Sequence, residues 1–299
     1  MRIRTAGKIC DHVWYFGREE SGIYLVEGSE FSMIISGGLC YIAPDVLAQF
    51  KEFNIDERKI KKLLILHSHF DHIGLVPLFK RRLTGLTVYA SPKAWDILND
   101  TQKIGEINSF NKITMKRIKA PNDLSQNDIV WSKGIQGVSV SEGDSIDMGR
   151  FRVDIIETPG HSDCSICAYI PQIKVLFSSD SGGIPYKDSI VPSGNSDYTK
   201  FQESLKKLEK IEVDYLCADH YGYITGPEAR MFISSAIQTS DQFCSMIRAV
   251  YRRAGSIEKT VRKMIDYTFA INHEYFLSPD ILKEVYRSMI HHIIFKMGK

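Results

Sequence analysis

Short apolar runs separated by glycine and polar residues dominate the first third of the chain. Three of these runs, at residues 13–16, 23–26 and 31–35, predict strands of an antiparallel meander. A fourth run, at residues 63–66, predicts a buried strand that leads directly into a polar loop. The N-terminal part of the chain is therefore expected to be built on β-sheet.

The C-terminal part of the chain carries a helical pattern instead. Apolar residues recur at helical spacing through residues 228–254 and 256–270, and Ser278-Pro279 is typical of the start of a third helix. We therefore expect one domain over residues 1–226 and a helical extension over residues 227–299. The irregular, mostly polar stretch at about residues 101–132 predicts an insertion that contains some helix.

Composition and charge exclude some classes of protein. The 299 residues are 43 % hydrophobic, which is enough for a large core, and the net charge of +2 gives no reason to expect nucleic acid as a partner. No apolar run approaches the roughly 20 residues of a membrane span. The N-terminus lacks the apolar centre of a signal peptide, so a cytoplasmic location without membrane partners is expected. The oligomeric state does not follow from the sequence, and a homodimer stays open.

Six cysteines are scattered along the chain, mostly inside apolar segments, which favours reduced and buried thiols. Cys164 and Cys167 have the spacing of a metal or redox pair. Their setting predicts a strand, however, and an odd separation sends the two sulfur atoms to opposite faces. We interpret both as structural residues.

The strongest chemical signal follows the apolar run at residues 63–66, in the sequence His67-Ser-His69-Phe-Asp71-His72. His67 and His69 are two residues apart, so they project to the same side of an extended backbone. Imidazole nitrogens and carboxylate oxygens suit zinc, iron or manganese. A solvated loop rich in histidine is the alternative, but four such residues directly after a buried strand favour a metal site.

This motif resembles the His-x-His-x-Asp-His signature of the metallo-β-lactamase superfamily. Three further segments match the superfamily in the expected order: Thr158-Pro-Gly-His161-Ser, Leu176-Phe-Ser-Ser-Asp180-Ser-Gly and Cys217-Ala-Asp-His220-Tyr-Gly. The resemblance covers about residues 8–226. It implies an α/β fold, a four-layer αβ/βα sandwich, to which a C-terminal helical cap over the active site is added.

The resemblance also implies a role for each candidate ligand. It places one metal ion on His67, His69 and His161 and a second on Asp71, His72 and His220, with Asp180 as the bridging carboxylate. The cofactors would be two divalent ions, zinc or iron, with manganese also open. Two such ions can share a water molecule and lower its pKa from 15.7 towards about 7, which gives a hydroxide nucleophile. Asp71 would orient that hydroxide and pass a proton to the leaving group.

Position 36 departs from the superfamily pattern. Many members carry Asp-Thr-Gly where this chain has Ser36-Gly37-Gly38, and their aspartate supports a ligand histidine. Serine is shorter and uncharged, so this support must be weaker or come from elsewhere. Asp163 and Asp219, which sit beside ligands, are interpreted as supporting or surface groups, and His291 and His292 as surface residues.

The substrate is less well specified, because one scaffold serves many ester chemistries. The overall resemblance is to quinolone-signal response thioesterases of the PqsE type. It implies hydrolysis of an acyl-CoA-type thioester, or a related carboxylic ester, in a pocket roofed by the C-terminal helices. Phe70, Phe276 and Leu277 would then contact the substrate. A phosphodiesterase and a metal-containing regulatory protein with little turnover are the alternatives.

Overall fold

Two seven-stranded β-sheets form the framework of the described residues, which are 1–118, 125–271, 273, 275 and 277–297 of the computed structural model. The strands, in chain order, are β1 (Arg2–Ile3), β2 (Gly7–Cys10), β3 (Val13–Arg18), β4 (Ser21–Glu27), β5 (Ser32–Ile35), β6 (Ile60–Leu64), β7 (Thr87–Ala90), β8 (Val138–Ser139), β9 (Ser145–Asp147), β10 (Arg152–Glu157), β11 (Ile166–Ile170), β12 (Val175–Phe177), β13 (Ile184–Tyr186), β14 (Ser189–Val191), β15 (Tyr215–Cys217) and β16 (Tyr223–Thr225).

Helices cover the outer face of each sheet. They are α1 (Ala43–Glu52), α2 (Val76–Arg82), α3 (Pro92–Asn99), α4 (Thr101–Arg117), α5 (Gln126–Ile129), α6 (Tyr198–Leu208), α7 (Pro227–Ala254), α8 (Ile257–Ile271) and α9 (Pro279–Phe295).

The first sheet has the strand order β2-β3-β4-β5-β6-β7-β8. Strands β3, β4 and β5 pair in antiparallel fashion, which confirms the predicted meander, whereas β5, β6 and β7 are parallel neighbours. The second sheet has the order β1-β16-β15-β12-β11-β10-β9, and its β12–β15 pair is parallel. Strands β13 and β14 form a separate hairpin.

In the part of the chain that the structure describes, three hydrophobic cores separate four layers of structure. In β4, Ile23 and Leu25 pack towards the helices of the first half, while Tyr24 and Val26 face the second sheet. The second sheet alternates in the same way, because successive side chains of a strand point to opposite faces. The resulting order is helices, sheet, sheet, helices. This confirms the predicted α/β four-layer sandwich.

The predicted insertion at residues 101–132, of which 119–124 lie outside the described residues, is more regular in its first half than the sequence pattern indicates. Thr101–Arg117 forms one continuous helix, whose N-cap Asp100 accepts a hydrogen bond from the backbone N–H of Lys103 at 2.9 Å. The apolar residues of α4 that face the interior, Ile104 and Ile107, join the core of the first sheet. The sequence pattern does not predict this helix clearly, because its exposed face is also partly apolar and the helix is therefore only weakly amphipathic.

The three C-terminal helices were predicted with nearly the observed bounds, including the cap of α9 by the Ser278 hydroxyl. The division of the chain at residue 226 stays a prediction.

The interpretation of His292 as a surface residue is wrong. Its side chain is 7 % exposed and packs against the start of α6. In the described part of the chain, no helix combines the length and apolar character that crossing a bilayer requires.

Candidate metal centre

Seven histidine and aspartate side chains meet where strands of the two sheets end. His67, His69, Asp71 and His72 lie on the loop after β6, which closes with a short 3-10 turn at Phe70–His72. The other three side chains follow strands of the second sheet, with His161 after β10, Asp180 after β12 and His220 after β15. A backbone hydrogen bond of 2.9 Å from Ile166 to Leu66 ties the two sheets together beside these loops.

Gly160 sets the direction of the loop that carries His161. Its φ angle is +130°, a conformation that side chains disfavour, and a Cβ atom built on it would lie 2.2 Å from the backbone nitrogen of Phe201. The turn is therefore packed directly on the start of α6, and His161 points back into the centre.

The predicted ligand atoms form three overlapping groups, in each of which the atoms lie within 4.8 Å of one another. These groups are His67, His69 and His161; His67, His72 and Asp180; and Asp71, His72 and His220. The first and third match the two ligand sets implied by the resemblance. The structure therefore brings together every predicted ligand, while their roles in metal binding stay a prediction.

Asp180 lies between the two outer groups. Its Oδ2 atom is 3.3 Å from Nε2 of His161 and 3.4 Å from Nε2 of His72, and its Oδ1 atom is 3.7 Å from Nε2 of His220. One carboxylate thus faces imidazoles of both groups, which is the position that a bridging ligand requires.

The outer nitrogen atoms of four imidazoles are held by groups behind the centre. Nδ1 of His161 donates to the Ser193 carbonyl at 2.8 Å, and Nδ1 of His220 donates to the Glu20 carbonyl at 2.6 Å. Nδ1 of His67 lies 3.3 Å from the hydroxyl of Ser179, and Nδ1 of His72 lies 2.7 Å from a carboxylate oxygen of Asp219. These contacts leave the Nε2 atom of each ring directed into the centre.

Burial keeps three of the imidazoles neutral. Desolvation and, to a lesser extent, the neighbouring His161 lower the pKa of His69 to about 3. Burial likewise lowers the pKa values of His67 and His161, and the other imidazoles beside each ring add to the effect. Neutral imidazole is the form of histidine that binds a metal ion.

The carboxylates have the opposite effect on the remaining imidazoles. Burial alone lowers the pKa of His72, but Asp180 and Asp71 outweigh it and hold that pKa well above its usual value. The same balance of burial and Asp180 raises the pKa of His220. In return, His72 and His220 offset the burial of Asp71 and lower its pKa to about 2. Nearby imidazoles also hold the pKa of Asp180 well below its usual value despite its burial, so both carboxylates are ionised at neutral pH.

The donor atoms fit metal ions. Among the described residues, Nε2 of His67 and Nε2 of His72 are buried and form no hydrogen bond, although an orphaned polar atom in a core costs free energy. Ionised carboxylates and neutral imidazoles converge around these atoms, and nitrogen and oxygen donors suit divalent transition metals.

A cavity of ≈ 410 Å³ opens beside the centre, and Asp71, His161, Asp180 and His220 form part of its wall. The rest of the wall is mainly apolar and comes from α4 and α9, the segments next to them, the β13–β14 hairpin and the loop after β6. These lining residues include Phe70, Ile97, Ile107, Phe110, Ile184, Val191, Pro192, Tyr275, Leu277, Ile281, Leu282, Val285, Tyr286 and Met289.

The predicted substrate contacts fall on this cavity in part. Phe70 and Leu277 line it, and the ring of Phe70 packs against that of Phe110 with centroids 5.7 Å apart. Phe276 lies outside the described residues. Sequence reasoning missed the contributions of α4 and of Tyr275. The apolar residues at spacing three on α4, Ile107 and Phe110, are the signal that could have indicated this wall.

Asp219 is the other residue whose position the sequence left open. It is 2 % exposed, so it is a buried group rather than a surface one. Ser36 does not take over the role of a carboxylate; its hydroxyl donates to Asp219 at 2.9 Å. Ser36 is too short to support a ligand histidine itself. Asp219, which lies 183 positions further along the chain, can give that support instead.

Comparison with known proteins places these observations in a family. The sequence profile described as "Metallo-beta-lactamase superfamily" matches residues 17–220. The chain is 22 % identical over 219 residues to the metallo-beta-lactamase fold-containing protein ST1585 of Sulfurisphaera tokodaii, with 69 % of this chain and 75 % of that protein covered. It is also 26 % identical over 219 residues to the human acyl-coenzyme A thioesterase MBLAC2, with 65 % of this chain and 70 % of that protein covered.

A solved structure extends the similarity to nearly the whole chain. The metallo-beta-lactamase family protein TTHA1429 of Thermus thermophilus superposes with a TM-score of 0.67, at 15 % sequence identity, over 95 % of this chain and 93 % of that one. At this level of identity the likeness concerns the fold.

Proposed function

The chain belongs to the metallo-beta-lactamase superfamily, and on this premise we propose that it hydrolyses a thioester of the acyl-CoA type or a related carboxylic ester. The proposed centre holds two divalent metal ions, zinc or iron, on the seven clustered histidine and aspartate side chains. Members of the superfamily are mostly metal-dependent hydrolases, so the substrate and the number of ions are the new parts of the proposal.

The observation that carries the proposal is the apolar cavity that adjoins the metal centre. An acyl chain bound there would lie against Phe70, Phe110 and Leu277, with its carbonyl group at the Asp71 and His220 end of the cavity. Burial of apolar surface contributes about 25 cal/mol per Å², so an acyl chain gains binding free energy that a sugar phosphate would not.

The ion pairs around the cavity favour the binding of an uncharged group in its interior. Lys103 and Glu106 both line the cavity, and they form an ion pair of 3.0 Å with each other. Glu284, a third lining residue, pairs with Arg287 at 2.6 Å. This wall therefore presents balanced charge, whereas a nuclease groove presents excess positive charge to the phosphate backbone.

The protein side chains have distinct roles in the proposed reaction. When bound, divalent ions lower the pKa of a water molecule and polarise the carbonyl oxygen that is attacked. His67, His69 and His161 would hold one ion and Asp71, His72 and His220 the other, with Asp180 between them. Asp71 stays ionised because its pKa is about 2, so it can orient the attacking water by accepting a hydrogen bond. The proton that Asp71 would pass to the leaving group is one that the carboxylate first accepts from the attacking water, so Asp71 is ionised again at the end of the step.

Two similarities support a thioester over other esters. The human relative is an acyl-coenzyme A thioesterase by name, and it matches this chain at 26 % identity over 219 residues. The sequence resemblance to PqsE-type thioesterases points to the same chemistry and to a pocket roofed by C-terminal helices. Residues of α9, such as Ile281 and Val285, line the cavity as such a roof would.

A substrate panel tests the proposal. Purified protein loaded with zinc, iron or manganese is assayed on acyl-CoA thioesters of increasing chain length, acyl-glutathione, a lactone and bis-p-nitrophenyl phosphate. We expect turnover of thioesters, with kcat/KM rising with acyl length until the cavity is filled. His69→Ala is the matched negative control, because it removes one imidazole and leaves the apolar wall intact.

Other outcomes of the panel favour the two alternatives. Turnover of the phosphodiester alone would contradict the thioesterase proposal and favour a phosphodiesterase. Tight metal binding without turnover of any compound would favour a regulatory protein. A small-molecule substrate, no nucleic-acid or membrane partner and a cytoplasmic location complete the proposal, and gel filtration tests the open question of a homodimer.

A further inference from the structure

The carboxylate of Asp219 is a junction of three hydrogen bonds behind the metal centre. Its Oδ2 atom accepts from the hydroxyl of Ser36 at 2.9 Å and from the hydroxyl of Ser179 at 2.5 Å. The same oxygen lies 2.7 Å from Nδ1 of His72. All four side chains are buried, with exposed fractions of 2 % or less. In a buried setting such charge-assisted hydrogen bonds are strong and directional.

The two serines that hold Asp219 both have an unusual backbone. Ser36 has a φ angle of +68° and Ser179 one of +46°, which places both in the left-handed region. Residues other than glycine occupy this region at a cost in free energy, and such strain concentrates at functional sites. Here both strained residues direct their hydroxyls to the same carboxylate oxygen.

The backbone around Asp219 is fixed without its side chain. The Asp219 carbonyl accepts a hydrogen bond from the backbone N–H of Gly22 at 2.9 Å. The buried hydroxyl of Tyr24 donates to the carbonyl of Ala218 and contacts the carbonyl of Gly222 at 3.1 Å. Substitution of the Asp219 side chain should therefore leave the loop that carries His220 in place.

We propose that Asp219 is the positioning residue of this centre: it holds His72 as the Nδ1-protonated form, so that Nε2 faces Asp71 and Asp180. The inference rests on the proposed metal centre. Among the described ligand imidazoles, His72 is distinguished by an Nδ1 atom that faces a carboxylate, since Nδ1 of His161 and of His220 faces a backbone carbonyl. Asp219 thus supplies what Ser36 is too short to supply, while Ser36 holds Asp219.

A carboxylate behind an imidazole has two effects on a metal site. It fixes the orientation and tautomer of the ring, and it makes the ring a stronger ligand. Loss of such a partner commonly costs about 10- to 100-fold in metal affinity. Asp219 forms no contact with the cavity, so its loss should weaken metal binding without changing which acyl chains fit.

Four variants test the assignment: Asp219→Asn, Asp219→Ser, the double variant Ser36→Asp/Asp219→Ser, and Asp163→Asn. Asparagine keeps the shape and an acceptor oxygen but removes the charge. The double variant returns a carboxylate from position 36, since the Ser36 hydroxyl lies 2.9 Å from the oxygen that His72 contacts. Asp163→Asn is the matched control, because Asp163 is exposed and also lies close in sequence to a ligand, His161.

Two measurements are made on each folded variant. Zinc affinity is measured by competition with a chromophoric chelator. The tautomer of His72 is read from ¹⁵N NMR shifts of the metal-free protein at alkaline pH, where the ring carries one proton. Circular dichroism checks that each variant is folded, so that a loss of affinity is not mistaken for unfolding.

We expect Asp219→Asn to weaken zinc binding by about 10-fold and Asp219→Ser by up to about 100-fold, with loss of the Nδ1-protonated form of His72 in the serine variant. The double variant should recover most of the affinity, and Asp163→Asn should match the wild type. Unchanged affinity and tautomer in Asp219→Ser, or an equal loss in Asp163→Asn, would overturn the inference. A wild-type protein that takes up no metal would refute the proposed function instead, while the NMR result would still decide the role of Asp219.

Discussion

Nδ1 of His69 lies 2.9 Å from Nε2 of His161, although the two residues are 92 positions apart in the sequence. Burial lowers the pKa of both rings, so neither is expected to carry a positive charge at neutral pH. Two neutral imidazoles that turn nitrogen atoms towards each other can share a single proton, or both can bind a cation. His67 belongs to the same group, and its Nε2 atom is buried without a hydrogen bond. A bound cation would explain why nitrogen atoms of all three rings lie close together.

Removal of either imidazole should therefore disable the centre. We expect His69→Ala and His161→Ala to lower both the metal affinity and kcat/KM by more than about 100-fold, which exceeds the usual effect of losing a group behind a ligand. Chelator competition and the thioester assay measure the two quantities. His291→Ala is the control, since that ring is exposed on α9. Wild-type metal affinity in both active-site variants would contradict the predicted ligand set.

Removal of the metal should destabilise the fold as well as abolish hydrolysis. A ligand that binds only the folded state adds about 2.7 kcal/mol when its free concentration is 100 times Kd. We expect dialysis against a chelator to lower Tm and eliminate turnover, and added zinc or iron to restore both. Calorimetry with and without metal makes the comparison. An unchanged Tm would mean that the clustered side chains bind no ion in solution.

The wall of the cavity should determine which acyl chains are accepted. Phe110 is 36 % exposed and lines the cavity, so Phe110→Ala should remove contact area without emptying the core. We expect kcat/KM for long acyl chains to fall by about 10-fold, with little change for acetyl thioesters. Ile113→Ala is the matched control, because Ile113 lies one turn further along α4, is 43 % exposed and does not line the cavity.

Gly160 should not tolerate a side chain. In Gly160→Ala the new methyl group would meet the backbone of Phe201 at 2.2 Å, so the turn must shift and carry His161 with it. We expect a loss of more than about 2 kcal/mol in stability together with weaker metal binding. Gly85→Ala provides the comparison, since its φ angle of +76° is similarly unfavourable but open space surrounds it. Equal effects of the two substitutions would show that backbone strain, and not the contact with α6, explains the loss.

His292 should make the stability of the wild-type protein depend on pH. Its Nε2 atom lies 3.0 Å from the Thr199 hydroxyl, and burial lowers the pKa of the ring although Asp197, at 3.3 Å, offsets part of that effect. The unfolded chain thus binds a proton at this residue more readily than the folded chain does. The stability associated with neutral His292 is present above the usual pKa near 6.5 and is lost as pH falls through the lowered folded-state value.

The pH dependence of Tm measures this contribution. We expect Tm of the wild type to fall more steeply below about pH 6.5 than that of His292→Gln, whereas His291→Gln should follow the wild type. Parallel curves for all three proteins would show that α9 is attached to α6 without a contribution from this ring.

The sequence predicts the ligands well because each one follows an apolar strand. Residues 63–66, for example, indicate a buried strand, and the chemistry of His67 to His72 can be read at its end. Cys164 and Cys167 are buried in different hydrophobic cores, as structural thiols would be, although only Cys167 lies in the predicted strand and Cys164 precedes it; burial raises the pKa of Cys167 to about 12. These features are local, so a local pattern reports them.

The contacts that complete the site are not local. His72 and Asp219 are 147 positions apart, and nothing in either neighbourhood indicates that they meet. The wall formed by α4 and α9 depends likewise on how helices from distant parts of the chain pack, as when Arg117 donates to the Tyr275 carbonyl at 3.2 Å. His292 shows the same limit, since its burial comes from α6 and not from the helix on which it lies.

The five ligand imidazoles differ in how easily a mutation can remove the group that orients them. Main-chain carbonyls of Ser193 and Glu20 accept hydrogen bonds from His161 and His220, so replacing the side chain of Ser193 or Glu20 leaves the acceptor atom of each ring in place. His72 depends on a side chain, and a single nucleotide change at codon 219 is enough to remove it. Selection for metal binding should therefore fall on positions 36, 179 and 219 together, and homologues that lose one of the three are expected to change the others.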